Sequence, residues 1–299
     1  MKKIYIIGIG GIGISGIARY YNENGYEVFG SDKTNSELIK KLKSEGIDII
    51  IGEDENRIDN NYEKIIYTEA VPKIQSELKK AIILNLKLLT YPESLAEIAN
   101  QKKLIAVAGT HGKSTTTSLI SIMMKNSSIG INSLVGSLLK EFDGKNTYFS
   151  ESKYFCLEAC EYKRSFLRYD PYIGVITNIE IDHLDYYKNL DDYISAFKEF
   201  QNNIVKGGYL IIDKNCKNSI KLYNLREDIN YILIDNNRFI INGKEIVFEK
   251  INLKIPGNHI LFDAKIAYIV GYILGLEKNS IIKSLESYNG IWRRSEIVG

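Results

Sequence analysis

Isoleucine-rich apolar runs alternate with amphipathic stretches from the start of the chain. Lys3–Ile7 reads as a strand, residues 13–24 as a helix and 27–29 as a second strand. A helix over 37–44 and a third strand over 47–51 follow, and segments 64–67, 73–84, 87–89 and 93–99 continue the alternation. Strands interleaved with helices in this way predict parallel α/β units. Asn100-Gln101-Lys102-Lys103 is a short polar break, after which a second α/β series begins. Its strands are predicted at 104–108, 154–157, 174–177, 209–212 and 231–234, and its helices at 115–125, 190–203, 263–275 and 280–288. Residues 238–254 alternate around Asn242-Gly243, a hairpin dipeptide. The polar break near residue 101 is the predicted domain boundary.

A chain of 299 residues accommodates two domains at roughly 150 residues each. It is long enough to bury its cores without disulfide or metal staples. With 39 Lys and Arg against 37 Asp and Glu, the formal net charge is +2, which lacks the electrostatic footprint of a dedicated nucleic-acid binder. Cys156, Cys160 and Cys216 are odd in number and form no paired Cys-x-x-Cys knuckles, so a disulfide scaffold is excluded and a reducing cytoplasm is expected. Lys2 and Lys3 before the apolar run 4–18 mimic a signal peptide. Glycines at 8, 10, 11, 13 and 16 make that run a poor continuous hydrophobic helix. The apolar segment 266–276 is too short to cross a bilayer and reads as a buried helix.

Five segments carry candidate chemistry. Gly8-Ile9-Gly10-Gly11-Ile12-Gly13 is a GxGxxG between a strand and a helix, where glycines let backbone approach a diphosphate at the helix N-terminus. Asp32, at the end of the second strand, stands where an acidic residue meets a ribose. The pattern does not separate NAD from another nucleotide diphosphate, nor from a glycine-rich turn that binds nothing. Gly109-Thr110-His111-Gly112-Lys113-Ser114-Thr115 is a phosphate loop between a strand and a helix, although Val107 stands where the general pattern has Gly. Its backbone N–H groups can cradle phosphates, Lys113 can neutralise β/γ charge and Ser114 can hold Mg²⁺. Glu158, in Glu158-Ala159-Cys160-Glu161, closes a strand and offers a hard oxygen ligand; Cys156 and Cys160 read as packing residues. The segment 177–185 (TNIEIDHLD) contains His183, a candidate metal ligand or proton carrier among only three histidines. Finally, Pro256-Gly257-Asn258-His259 precedes a helix carrying Asp263, and Arg293-Arg294 follows the last helix, where arginines can clamp phosphate or simply be solvated.

Taken together, these segments resemble the Mur ligase family. Residues 8–18 (GIGGIGISGIA) look like that family's UDP-sugar loop rather than a dehydrogenase fingerprint, and GSD at 30–32 and YTEAV at 67–71 also match its first domain. GTHGKST at 109–115, EACEYKRSFL at 158–167 and TNIEIDHLD at 177–185 match its ATP-binding central domain in order and spacing, and PGNH at 256–259 and RRSE at 293–296 match that domain's end. The resemblance implies an α/β protein: a Rossmann-like UDP-sugar-binding domain over about residues 1–100, then a P-loop ATPase-type central domain over about 101–299. It implies an ATP-dependent, Mg²⁺-requiring ligase of peptidoglycan synthesis, located in the cytoplasm. The muramate carboxylate of UDP-N-acetylmuramate attacks the γ-phosphate of ATP, and the amine of L-alanine displaces phosphate from the acyl phosphate. Neither nucleic acid nor membrane is an expected partner. By position, Lys113 neutralises phosphate, Ser114 and Glu158 hold one Mg²⁺, and His183 helps to hold a second. Gly10, Gly11, Gly13, Ser15, Asp32 and Thr68 hold the UDP-sugar, while His259, Asp263 and Arg294 line the nucleotide side.

The chain also departs from the family pattern. Ile260 and Asp263 stand where the family has asparagines, and Phe197, with Lys198 beside it, occupies the position of the carbamylated lysine of several relatives. The family carries a third, C-terminal domain that closes over ATP, so the resemblance implies that these 299 residues bind ligands but ligate poorly or not at all. Three other readings remain at this point. They are a recycling ligase that attaches whole peptides to the same sugar nucleotide, a non-catalytic nucleotide-binding relative, and an NAD-dependent oxidoreductase supported by the first glycine motif and Asp32 alone. Between the two ligase readings, the GIGGIGISG loop favours the alanine-adding enzyme over the recycling one.

Overall fold

The computed structural model describes residues 2–290. The chain divides into two compact units, Met1–Ile98 and Ala99–Gly299.

In the first unit, β1 (Lys3–Ile7), β2 (Glu27–Asp32), β3 (Asp48–Ile51), β4 (Tyr62–Tyr67) and β5 (Leu88–Thr90) form one parallel sheet in the order β3-β2-β1-β4-β5. The connecting helices are α1 (Ile12–Glu23), α2 (Glu37–Ser44), α3 (Ser76–Ile83) and α4 (Tyr91–Ala99). Ile4, Tyr5, Ile6 and Ile7 of β1 are all buried, as a parallel sheet covered on both faces requires. The core also takes Arg19 from α1, which Glu45 holds through Nε–Oε2 at 2.7 Å and Nη2–Oε1 at 3.2 Å, so its charge is compensated. Strands are added to one side of β1 as far as β3 and then to the other side, which places a topological switch point between β1 and β4. Ligands bind outside the carboxyl ends of the strands at such a point. Strand β2 runs past the apolar residues into Gly30-Ser31-Asp32, because its polar end faces that crevice.

The second unit has a nine-stranded sheet built from β6 (Lys103–Ala108), β7 (Asn132–Leu139), β8 (Lys145–Tyr148), β9 (Tyr154–Glu158), β10 (Pro171–Ile176), β11 (Tyr209–Asp213), β12 (Asn230–Asp235), β13 (Arg238–Ile241) and β14 (Lys244–Val247). Its order is β14-β13-β12-β11-β10-β6-β9-β7-β8, parallel from β12 to β7 and antiparallel at both edges. Asn242 and Gly243, both at positive φ, make the two-residue turn between β13 and β14. Helices α5 (Lys113–Lys125), α7 (Asn258–Ile273) and α8 (Lys278–Glu286) pack with one another over a core that includes Ile105, Val107, Met123 and Ile269. Helix α6 (Leu190–Asn202) brings Phe197 and Phe200 against Phe166, the latter pair stacked at 5.0 Å.

Several helices start earlier than periodicity predicts, and at two of them the difference bears on the site. Helix α5 begins at Lys113, which places Lys113 and Ser114 in its first turn, and α7 begins at Asn258, which takes His259, Ile260 and Asp263 into the helix. Strands β7 and β8 lie in a stretch for which the sequence pattern predicts no element. The reason is visible in β7, whose first residues Asn132 and Ser133 are buried but polar. Asn132 donates to the carbonyls of Ser152 and Tyr154, and Ser133 bonds Ser121 at 2.6 Å, so hydrogen bonds replace the apolar pattern. No helix among the described residues is long and apolar enough to cross a membrane.

Candidate functional site

In the second unit β6 lies between β9 and β10, and all three run parallel, so their carboxyl ends adjoin. Val107 pairs with Glu158 of β9, and Ala108 with Ile176 of β10. Three motifs separated in sequence therefore meet at one end of the sheet. Beyond β6 the chain turns at Gly109, whose φ of +129° suits glycine; a β-carbon there would lie 2.1 Å from Thr177 Oγ1 and 3.0 Å from the Asn178 carbonyl. The Thr177-Asn178 pair clamps the loop. The amides of Thr110 and His111 donate to the carbonyl and side-chain oxygens of Asn178, and Thr177 donates to the His111 carbonyl at 2.5 Å. Gly112 then caps α5, whose N-terminus carries the partial positive charge of its unsatisfied N–H groups.

Lys113 Nζ donates to the carbonyls of Gly109 (2.5 Å) and Thr110 (3.1 Å) and meets Glu161 Oε1 at 3.0 Å. Ser114 donates to Glu158 Oε2 at 3.1 Å, and the other oxygen of Glu158 accepts from the Gly136 amide at 2.6 Å. A hydroxyl and a carboxylate are thus held side by side at the start of a phosphate-loop helix. Glu161 is fully buried; besides Lys113 it faces Tyr193 Oη at 3.3 Å and His183 Nε2 at 3.6 Å, and its Oε2 has no hydrogen-bond partner. His183 sits at positive φ, and its ring lies 4.8 Å from that of Tyr162. Cys156 is buried, which raises its thiol pKa and fits packing rather than reactivity, whereas Cys160, also expected as a packing residue, is exposed.

A cavity of about 620 Å³ opens beside the loop. Residues 110–115, Glu158, His259, Ile260 and Asp263 line it, so the structure brings the expected nucleotide residues together, apart from Gly109, which turns the chain outside the lining, and Arg294, which lies outside the described residues. Asp263 is buried, accepts from Thr116 Oγ1 at 2.9 Å, and burial pushes its carboxyl pKa up to about 7. An unfolded aspartate releases its proton near ~3.9. Folding therefore takes up a proton between those values, and stability from this group falls as pH rises from about 4 to about 7, then levels off. Asp263→Asn is expected to remove that slope and to raise the thermal midpoint at pH 8 by several degrees. Thermal unfolding across pH 5–8 checks this, and an unchanged pH dependence contradicts it.

In the first unit a cavity of about 460 Å³ lies at the switch point, lined by Gly8, Gly10, Gly11, Asp32 and Thr68 among others. Gly8 has φ +75°, and a β-carbon there would lie 2.4 Å from Thr68 Cγ2, so glycine lets loop and strand end approach. Asp32 holds the loop from below: Gly10 N donates to its Oδ2 at 2.8 Å, and Thr34 N to its Oδ1 at 2.9 Å. Two expected ligand residues stand apart from this cavity. Ser15 is buried in α1 with its hydroxyl donating to the Ile12 carbonyl at 2.7 Å, and Gly13 is covered by Tyr91, whose Oη would lie 2.6 Å from an added β-carbon.

Two family models match the chain: the Mur ligase family catalytic domain over residues 3–103 and the Mur ligase middle domain over residues 107–270. The chain belongs to the Mur ligase family. Among curated relatives in that family, the UDP-N-acetylmuramate–L-alanine ligase of Clostridium tetani is 41% identical, matching 100% of this chain and 69% of its own length. The enzyme of that name from Clostridium acetobutylicum is 40% identical, with 100% and 68% covered. Solved Mur ligase structures share the fold. The UDP-N-acetylmuramate-alanine ligase of Thermotoga maritima superposes with a TM-score of 0.84 at 24% identity, over 100% of this chain and 71% of that one. The UDP-N-acetylmuramate:L-alanyl-γ-D-glutamyl-meso-diaminopimelate ligase of Neisseria meningitidis also gives 0.84, at 21% identity over 98% and 100%. Family membership displaces the oxidoreductase reading.

Some site residues were not singled out from sequence. Asn178 clamps the phosphate loop, and Glu161 joins Lys113 to His183. Both lie inside motif segments, but their roles depend on β9 and β10 flanking β6, which only the sheet order reveals.

Proposed function

We propose that this chain performs the reaction of its alanine-ligase relatives, joining L-alanine to UDP-N-acetylmuramate at the expense of ATP, in the cytoplasm. The observation that carries this reading is the convergence of Lys113, Ser114 and Glu158 on one nucleotide-sized cavity at the carboxyl ends of β6 and β9. The reaction brings a carboxylate up to a polyanion, so it needs cationic charge where both meet. Lys113 supplies one such charge at the N-terminus of α5, whose amides and dipole also favour phosphate.

The paired oxygens of Ser114 and Glu158 are hard donors and fit Mg²⁺, which would supply further charge neutralisation at the phosphates. Among the described residues no three His, Cys, Asp or Glu side chains converge on one point, and His183 is directed to Glu161. Ser114 and Glu158 would hold one ion, while His183, 3.6 Å from Glu161 beside Lys113, keeps the role that the resemblance implies at a second. In the first unit, Gly8, Gly10 and Gly11 with Asp32 would take the diphosphate and ribose of the sugar nucleotide, and Thr68 the adjoining wall.

The test is amide formation from ATP and UDP-N-acetylmuramate, read by mass spectrometry with L-alanine and with the L-alanyl-γ-D-glutamyl-diaminopimelate tripeptide offered together. Slow formation of the alanine adduct, in preference to the tripeptide adduct, is expected. A tripeptide adduct alone would instead identify a recycling ligase.

A further inference from the structure

Glu77 is a fully buried carboxylate in the first unit, yet among the described residues it has no basic partner in an ion pair. Neutral donors surround it instead. Its Oε1 accepts from Tyr5 Oη at 2.7 Å and the Asp54 amide at 3.2 Å, and its Oε2 accepts from Ser31 Oγ and Gln75 Nε2, both at 2.5 Å. The orientation of Gln75 is settled independently, because its Oε1 accepts the Leu78 amide at 2.8 Å and the amino group must therefore face Glu77. A carboxylate with two obligate N–H donors takes both hydroxyl protons as well. That fixes the direction of each bond.

Ser31 and Gln75 both line the first unit's cavity. Ser31 has spent its only proton on Glu77, so toward a ligand it can only accept, while Gln75 keeps a second N–H to donate. Their polar atoms share one oxygen of Glu77 and so lie no farther apart than twice 2.5 Å. The glycine loop and Asp32 occupy the diphosphate and ribose end of the cavity, which leaves the wall near Gly52, Gln75 and Ser31 for the base.

Resting on the UDP-sugar reading of this cavity, we propose that Glu77 is a positioning residue that sets the hydrogen-bond polarity of the base wall. Ser31 is locked as acceptor and Gln75 as donor, so the wall reads the imide edge of uracil, an N–H donor beside a carbonyl acceptor. Neither residue could be assigned this role without the buried carboxylate behind them.

The experiment is calorimetric titration of the whole chain with UDP and with 3-methyluridine 5′-diphosphate, which lacks the imide proton. Wild-type protein is expected to bind UDP about tenfold more tightly than the methylated analogue. Glu77→Gln places an amide against at least one obligate donor. It should weaken UDP binding by about tenfold and bring the two ligands within about threefold of each other. Ser31→Ala, which leaves Glu77 in place, should also narrow the gap and serves if Glu77→Gln does not fold. Because Glu77 and Ser31 both lie in the first unit, the near-ultraviolet circular dichroism of that unit's tyrosines and a cooperative thermal transition report that each variant is folded. Equal binding of the two ligands by wild type, or an undiminished preference in both variants, would overturn the proposal while leaving UDP recognition itself intact. Failure of wild type to bind UDP at all would instead remove the reading on which it rests.

Discussion

Lys113→Ala is expected to lower ATP affinity by about 10- to 100-fold, the range for losing hydrogen bonds from a charged donor. It carries a second consequence, because Glu161 is fully buried and Lys113 Nζ lies 3.0 Å from it. Removing one member of such a pair strands the other charge, at a cost of about 3–5 kcal/mol. The two effects separate in the double variant Lys113→Ala/Glu161→Gln, which should recover most of the stability and none of the ATP affinity. Calorimetry and chemical denaturation read them independently. Recovery of ATP binding in the double variant would mean that Lys113 acts only through Glu161.

Gly109→Ala is expected to be more damaging than an alanine usually is in a loop. The added β-carbon meets Thr177 Oγ1 at 2.1 Å on a backbone with φ +129°, and Thr177 is itself fixed by its bond to the His111 carbonyl. Left-handed backbone costs a non-glycine residue about 1–2 kcal/mol and overpacking about 1–3 more. The second unit should lose roughly 2–5 kcal/mol of stability. ATP binding should weaken even under conditions where the variant is folded, because the loop must shift away from Thr177-Asn178. The companion Thr177→Ser keeps the hydroxyl and should be nearly neutral. Wild-type stability in Gly109→Ala would show that the loop is not held as described.

Apolar strands and the phosphate loop were legible because each is a local pattern. Lys3–Ile7 and Glu37–Ser44 are read to the residue, and Asn242-Gly243 makes the turn that its dipeptide predicts. Patterns carried by buried polar residues were not legible, which is why β7 with its Asn132 and Ser133 went unread. Motif membership also overstates function where the fold buries a residue. Ser15 belongs to the glycine-rich segment but bonds its own helix, and Gly13 lies against Tyr91. Conversely, Glu161 and Glu77 draw their significance from partners brought in by other strands and helices, and no spacing along the chain announces them.

The first unit is expected to hold a UDP-sugar and the second ATP, and a pair of titrations tests the half that distinguishes this chain from other nucleotide-binding α/β proteins. Calorimetry with UDP-N-acetylmuramate and, separately, with NAD is the measurement. Saturable one-to-one binding of the sugar nucleotide, absent when Gly10 and Gly11 carry bulky side chains, is the predicted result. Tight NAD binding with no response to the sugar nucleotide would contradict it.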